Sequence, residues 1–190
     1  MSTLKVDNLL LADKNKGTGR ILEMVTATLH NSSTTTVESL SGTYTFDIAS
    51  NQELTTSYAE ISGSKISYVP PEGTKRVNYS FNFCISAADG TDGIASIKLF
   101  IDGSEVTNQP RTAASYRNTM CACEYTFICN SSSEIFDRGI FNSWTTAKEI
   151  QLQAMEHAES TTAEIHECRS FGGSTQNLFI PPTLTLTAIG

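Results

Sequence analysis

Apolar and polar residues alternate strictly along one stretch of the chain: Val77, Tyr79, Phe81, Phe83 and Ile85 stand between Asn78, Ser80, Asn82 and Cys84. Side chains two apart on a strand share a face, so this pattern predicts a strand with one side buried. It recurs with Ile97, Leu99 and Ile101, with Cys121, Cys123, Tyr125, Phe127 and Cys129, and with Leu184, Leu186 and Ala188 among threonines. Strands are predicted over 43–48, 54–61, 65–69, 76–86, 95–102, 105–107, 119–130 and 183–189. Turn chemistry separates them. Pro70-Pro71-Glu72-Gly73 stops one strand because proline lacks a ladder donor, and Asp102-Gly103 is a hairpin signal that needs positive φ. Asp89-Gly90-Thr91-Asp92-Gly93 is a further tight connection.

Two segments need more than pattern. Residues 131–146 hold Phe136, Phe141 and Trp144 among serines and read as a long loop lying on the domain, because its aromatics need cover. Residues 147–159 are rich in helix formers, yet Ile150, Leu152 and Ala154 alternate. A helix there would line up Ile150, Ala154 and Ala158, a poor apolar stripe, so a strand is predicted. About eight antiparallel strands of this length make an all-β domain, a single jelly roll or β-sandwich.

The N-terminal part reads differently. Periodicity is weak over 1–36, with Lys14-Asn15-Lys16-Gly17-Thr18-Gly19-Arg20 at its centre and Ser32-Ser33-Thr34-Thr35-Thr36 at its end. This stretch is expected to be an extended arm and linker, with the jelly roll over 37–190. Leu4, Val6, Leu9, Leu10, Leu11, Ile21 and Leu22 are too few for a core of their own, so they are the predicted assembly contacts.

Composition narrows the choice of function. At 190 residues the chain is one domain of ordinary size, able to bury a core without disulfides. A net charge of −7 argues against sequence-independent nucleic-acid binding, which needs clustered Lys and Arg. No window approaches the roughly 18 apolar residues that span a bilayer, and the start shows no apolar signal segment, so a soluble chain made in a cytoplasm and not inserted in a membrane is expected. Five cysteines are an odd number, and Cys121, Cys123 and Cys129 share one strand face; they read as reduced core residues.

No constellation specifies a reaction. His157, Glu159, His166, Glu167 and Cys168 offer metal-ligand chemistry, but their spacing matches no zinc motif, and alternation puts His166 and Cys168 on one face and Glu167 on the other. Asp89 and Asp92 lack the regular alternation of a calcium loop, and neither a nucleophile elbow nor a phosphate loop is present. No cofactor and no enzyme activity are expected. Tyr58, Tyr68, Tyr116 and Trp144 read as exposed aromatics; Trp144 and Tyr116 are the candidate receptor or glycan contacts, with burial in a subunit interface as the competing account.

The opening Ser2-Thr3-Leu4-Lys5-Val6-Asp7-Asn8-Leu9 resembles the start of many phage tail-fibre and related virion proteins. Leu54-Thr55-Thr56-Ser57-Tyr58-Ala59-Glu60-Ile61-Ser62-Gly63, then Ile66-Ser67-Tyr68-Val69-Pro70-Pro71, then the long strand from Arg76 and the ending from Pro182 to Gly190 resemble jelly-roll virion structural proteins. These are the head domains of phage fibres and the capsid or vertex surface proteins of large DNA viruses. The resemblance implies a subunit of the virion, in capsid, penton, spike or fibre. Such a subunit associates with itself as a trimer or pentamer and docks on other virion proteins. The alternative it implies is a head domain that binds a receptor or a host surface glycan. No catalytic residue transfers with it.

Overall fold

The computed structural model describes residues 19–87, 93–115, 118–158, 162–169 and 177–190. Its strands are β1 (Ile21–Thr28), β2 (Thr35–Glu38), β3 (Thr43–Phe46), β4 (Gln52–Glu53), β5 (Ala59–Glu60), β6 (Ile66–Tyr68), β7 (Arg76–Ala87) and β8 (Gly93–Ile101). They continue as β9 (Ser104–Glu105), β10 (Arg111–Ser115), β11 (Asn118–Ile128), β12 (Lys148–Glu156), β13 (Ala163–Ile165), β14 (Glu167–Cys168), β15 (Leu178–Phe179) and β16 (Thr183–Ile189). Among the described residues the helical element is a single 3-10 turn, Phe136–Arg138. The all-β prediction holds, and 148–156 is a strand as its alternation required.

Two antiparallel sheets enclose one core. In the first, β7 pairs with β11 along one side and with β16 and then β13 along the other; β1 lies outside β16 and β4 outside β13. In the second, β8 and β12 are central, with β10 and β9 outside β8 and with β6 and β5 outside β12. The principal strands in chain order are β1, β6, β7, β8, β10, β11, β12 and β16. Numbered one to eight, they run 1-8-3-6 across the first sheet and 2-7-4-5 across the second. First and last strands are thus neighbours, as when a long antiparallel ribbon is rolled up.

The alternating residues of β7, β11 and β16 meet those of β8 and β12 in a single cluster: Val77, Tyr79, Phe81 and Phe83 against Ile97, Leu99, Ile101, Ile150 and Leu152. At about 25 cal/mol per Å² of apolar area removed from water, this burial dominates the stability of the domain. Two of the three turns are realised as read, and Asp89, Gly90, Thr91 and Asp92 of the third lie outside the described residues. Asp102 and Gly103 take φ of 50° and 76° between β8 and β9. The Thr74 hydroxyl and amide close on the Pro71 carbonyl beyond β6.

The arm reading needs correcting at its C-terminal end. Ile21–Thr28 is a sheet strand in register with β16, and Val25, Ala27 and Leu29 are core residues. The sandwich therefore begins near residue 19, not at 37. The weak periodicity of this stretch has two causes: a bulge between Ile21 and Glu23 shifts the register, and a glutamate occupies an inward position. Residues 1–18 lie outside the described residues.

Candidate functional site

On β1 the inward-facing set is Glu23, Val25 and Ala27. A buried carboxylate needs donors. The Ser41 amide donates to Glu23 Oε2 at 2.7 Å, the Ser41 hydroxyl to Oε1 at 2.6 Å and the Tyr68 hydroxyl to Oε1 at 2.9 Å. Tyr44 stands beside them, its hydroxyl 2.6 Å from Ser41 Oγ and donating to the Val69 carbonyl at 2.7 Å. Burial raises the Glu23 pKa, but the Ser41 and Tyr68 bonds outweigh it and hold the carboxyl below the ordinary range. Burial, followed by the bond to Glu23, pushes the Tyr68 hydroxyl well up. The network fastens the β2–β3 hairpin and β6 to the outermost strand of the first sheet.

Two shallow depressions adjoin this network and share Val69. One, ≈ 410 Å³, is lined by Ser41, Thr43, Tyr44, Thr45 and Ser67. The other, ≈ 250 Å³, lies against Pro70, Pro71, Asn130, Trp144 and Thr145. The first is rich in hydroxyls, whereas the second is walled mainly by Val69, Pro70, Pro71 and Trp144 with Glu72 beside them.

At residues 164–169 a second polar cluster bridges strands. Arg169 grips Glu164 with Nη2 on Oε1 and Nε on Oε2. The Ser86 hydroxyl also donates to Glu164, and Asn51 donates to Glu167 Oε2 at 2.9 Å. Burial would raise both carboxyls. Arg169 and Ser86 bring Glu164 below the ordinary value, whereas Glu167, facing the Glu164 charge, stays raised.

His166 belongs to the same turn of chain but serves the core. It is fully buried, with φ of 62° where β13 gives way to β14. That left-handed residue breaks the expected alternation, so His166 and Glu167 are both buried and Cys168 is half-buried. The His166 ring meets Phe81, Phe83 and Phe179 edge-on, and Nε2 donates to the Ser62 carbonyl at 2.7 Å. Burial depresses its pKa to about 4. No cluster of three or more His, Cys, Asp or Glu suited to a metal occurs among the described residues. All five cysteines are free, and burial pushes the Cys123 and Cys129 thiols up to about 12, which keeps them protonated.

The predicted contacts fall into three groups. Leu4, Val6, Leu9, Leu10, Leu11 and Tyr116 lie outside the described residues. Ile21 is 62% exposed at the start of β1, whereas Leu22 packs against the chain end at Gly190. Trp144 is only 3% exposed: its indole donates to the Tyr68 carbonyl at 3.1 Å and packs on Phe141 and Phe127. Trp144 and Tyr68 are therefore core aromatics rather than surface contacts, a correction of the sequence reading; the loop carrying Trp144 lies on the sandwich as expected. Tyr58, at 37%, is exposed, with Lys98 over its ring. Met24, of the same apolar patch as Ile21 and Leu22, is 59% exposed; sequence reasoning missed Leu40, exposed at 80%, because the hairpin that carries it has little periodicity to read.

No family model and no curated protein matches the chain. Among solved structures it is similar to the EclA C-terminal domain, a sugar-binding protein, at 10% identity and a TM-score of 0.29 over 79% of this chain and 76% of that one. It is also similar to a structure of the Gx strain of infectious bursal disease virus, at 11% identity and a TM-score of 0.36 over 91% of this chain and 37% of that one. The Gt strain gives 9% identity and a TM-score of 0.31 over 87% of this chain and 36% of that one. The chain thus spans little more than a third of the viral chains it matches, and likenesses at this level carry no argument about function.

Proposed function

We propose that the chain is a structural subunit of a virion, a single jelly roll that associates with copies of itself and docks on neighbouring coat proteins. The rolled strand order of the two sheets supports the jelly-roll assignment, and the virion-protein resemblance of the sequence supports the setting. The observation that carries self-association is the exposure of large apolar side chains on β1 and on the hairpin bonded to it: Ile21, Met24 and Leu40 stand at 62%, 59% and 80%. Exposed large apolar side chains of this kind mark a contact surface. The role is non-catalytic and works by burial. A ring of three or five copies closes heterologous contacts without leaving an open end. Electron microscopy of the purified chain is expected to show closed rings of one size; a field of single sandwiches at every concentration would count against the proposal.

A second reading, a glycan-binding head, is favoured by the depression at Ser41, Thr43, Thr45 and Ser67, where several hydroxyls face one hollow. Because Trp144 is buried, the informative variant is Thr43→Arg, at an exposed position on the rim. Glycan-array binding by the parent chain that is lost in this variant would support the reading; absence of binding by the parent chain would remove it.

A further inference from the structure

We infer that the turn from β13 to β14 is a pH-operated latch: Glu164 and Glu167 share one proton beside Arg169, and its loss to solvent releases β14 from the outer face of β7 and uncovers the Cys84 thiol. The His166 amide donates to the Cys84 carbonyl at 2.8 Å and so carries the β13–β7 ladder one residue further. With φ of 62°, His166 then turns the chain out of the sheet. Glu167 comes to lie over the outer face, where its carbonyl accepts from Cys84 Sγ at 3.2 Å. Cys84 belongs to the outward set of β7 with Asn78, Ser80 and Asn82. Those three are half-buried, whereas Cys84, with β14 across it, is only 3% exposed.

Two carboxyls meet one guanidinium in this turn. Arg169 holds Glu164 through Nη2 and Nε, while its Nε stands 3.7 Å from Glu167 Oε1, beyond hydrogen-bond length. Asn51 donates to Glu167 Oε2, and Oε1 is buried with no donor among the described residues. A buried carboxylate oxygen without a donor costs free energy, and a proton removes that cost by making Oε1 a donor itself. The Glu164 carboxylate is the acceptor within hydrogen-bond reach. Burial and then the Glu164 charge favour the protonated form of Glu167, whereas Arg169 and Ser86 keep Glu164 ionised. The other titratable groups around the pair are His166, neutral and turned into the core, Cys168 beside Glu167 in sequence, Cys84 beneath it with its thiol raised by burial to about 11, and Glu53, exposed and paired with Glu164 across β4. None of these brings a positive charge to Glu167.

Loss of the proton sets two carboxylates against a single cation. The bidentate Glu164–Arg169 pair is the stronger contact, so Glu167 is the member expelled, and β14 leaves with it. The sign is fixed. The folded Glu167 holds its proton above the ordinary 4.5, so the stability contributed by the shared proton is complete below 4.5 and is lost as pH rises through the folded value. Cys84 is then the group that the opening exposes, because the contact over its Sγ is made by Glu167 itself.

The test uses the full chain. Glu167→Gln keeps an acceptor for Asn51 and gives Glu164 a permanent donor, so it holds the latch shut at every pH. Native-state labelling with a maleimide, with Cys84 located by peptide mass, is expected to quicken in the parent as pH rises above 4.5. The rise in thiolate is common to both chains, and at the alkaline end Cys84 should react at least about tenfold more slowly in Glu167→Gln than in the parent. Equal Cys84 rates in the two chains at every pH would overturn the latch. Infrared spectroscopy of the parent tests the shared proton without any substitution: a carboxylic acid band that persists above pH 4.5 is expected, and its absence would overturn the inference.

Discussion

His166 is held neutral among Phe81, Phe83 and Phe179, and this sets a pH dependence with a definite sign. Its folded pKa of about 4 lies below the unfolded 6.5, so the unfolded chain binds more protons between those values and stability is lost as pH falls from 6.5 to about 4. The loss is about 3 kcal/mol, and His166→Gln should flatten that part of a urea-melt profile; an unchanged slope would contradict the assignment. Glu23 acts lower. Its folded pKa is depressed from 4.5, so its contribution is complete above 4.5 and is lost as pH falls through the folded value. Glu23→Gln turns an amide donor towards Ser41 or Tyr68 and should cost about 1–3 kcal/mol at neutral pH, read by chemical denaturation. Neither role was legible in the sequence. His166 looked like an ordinary strand residue because a single left-handed φ is invisible to alternation, and Glu23 sat where a polar residue on a weakly periodic stretch suggests an exposed arm.

At the level of elements, long strands whose two faces differ in burial were the readable ones. β7, β8, β11, β12 and β16 appear where alternation placed them, and β12 resolved against its helix-forming composition because its inward face is Ile150, Leu152 and Ala154. β10 and β13 escaped notice for opposite reasons: Arg111–Ser115 carries little apolar character, and Ala163–Ile165 is buried on both faces. The loop after β11 behaves as part of the core. Trp144→Ala removes an indole packed on Phe141 and Phe127 and should cost about 3–5 kcal/mol, so a thermal melt shifted only marginally would contradict its burial. Gly139 has φ of 67°, and a Cβ there would lie 2.8 Å from Phe127 Cδ1. Gly139→Ala should therefore destabilise the domain by more than about 1 kcal/mol, whereas alanine at a compatible glycine stabilises.

For the whole molecule, the two sheets turn their buried faces on one core, and large apolar side chains remain exposed at Ile21 and Met24 of β1, at Leu40 in the β2–β3 turn and at Met120 of β11. The sequence located oily residues near the N-terminus without revealing that Ile21 and Leu22 belong to a sheet strand, because the pairing partner of that strand lies at the other end of the chain. Contacts of such separation leave no local signature. Self-association of the chain in solution is the property on which the proposed role depends. Light scattering on the purified full chain measures it directly: a mass that is a whole multiple of 20.6 kDa and falls as the protein is diluted is predicted, and a mass of 20.6 kDa at every concentration would contradict the account.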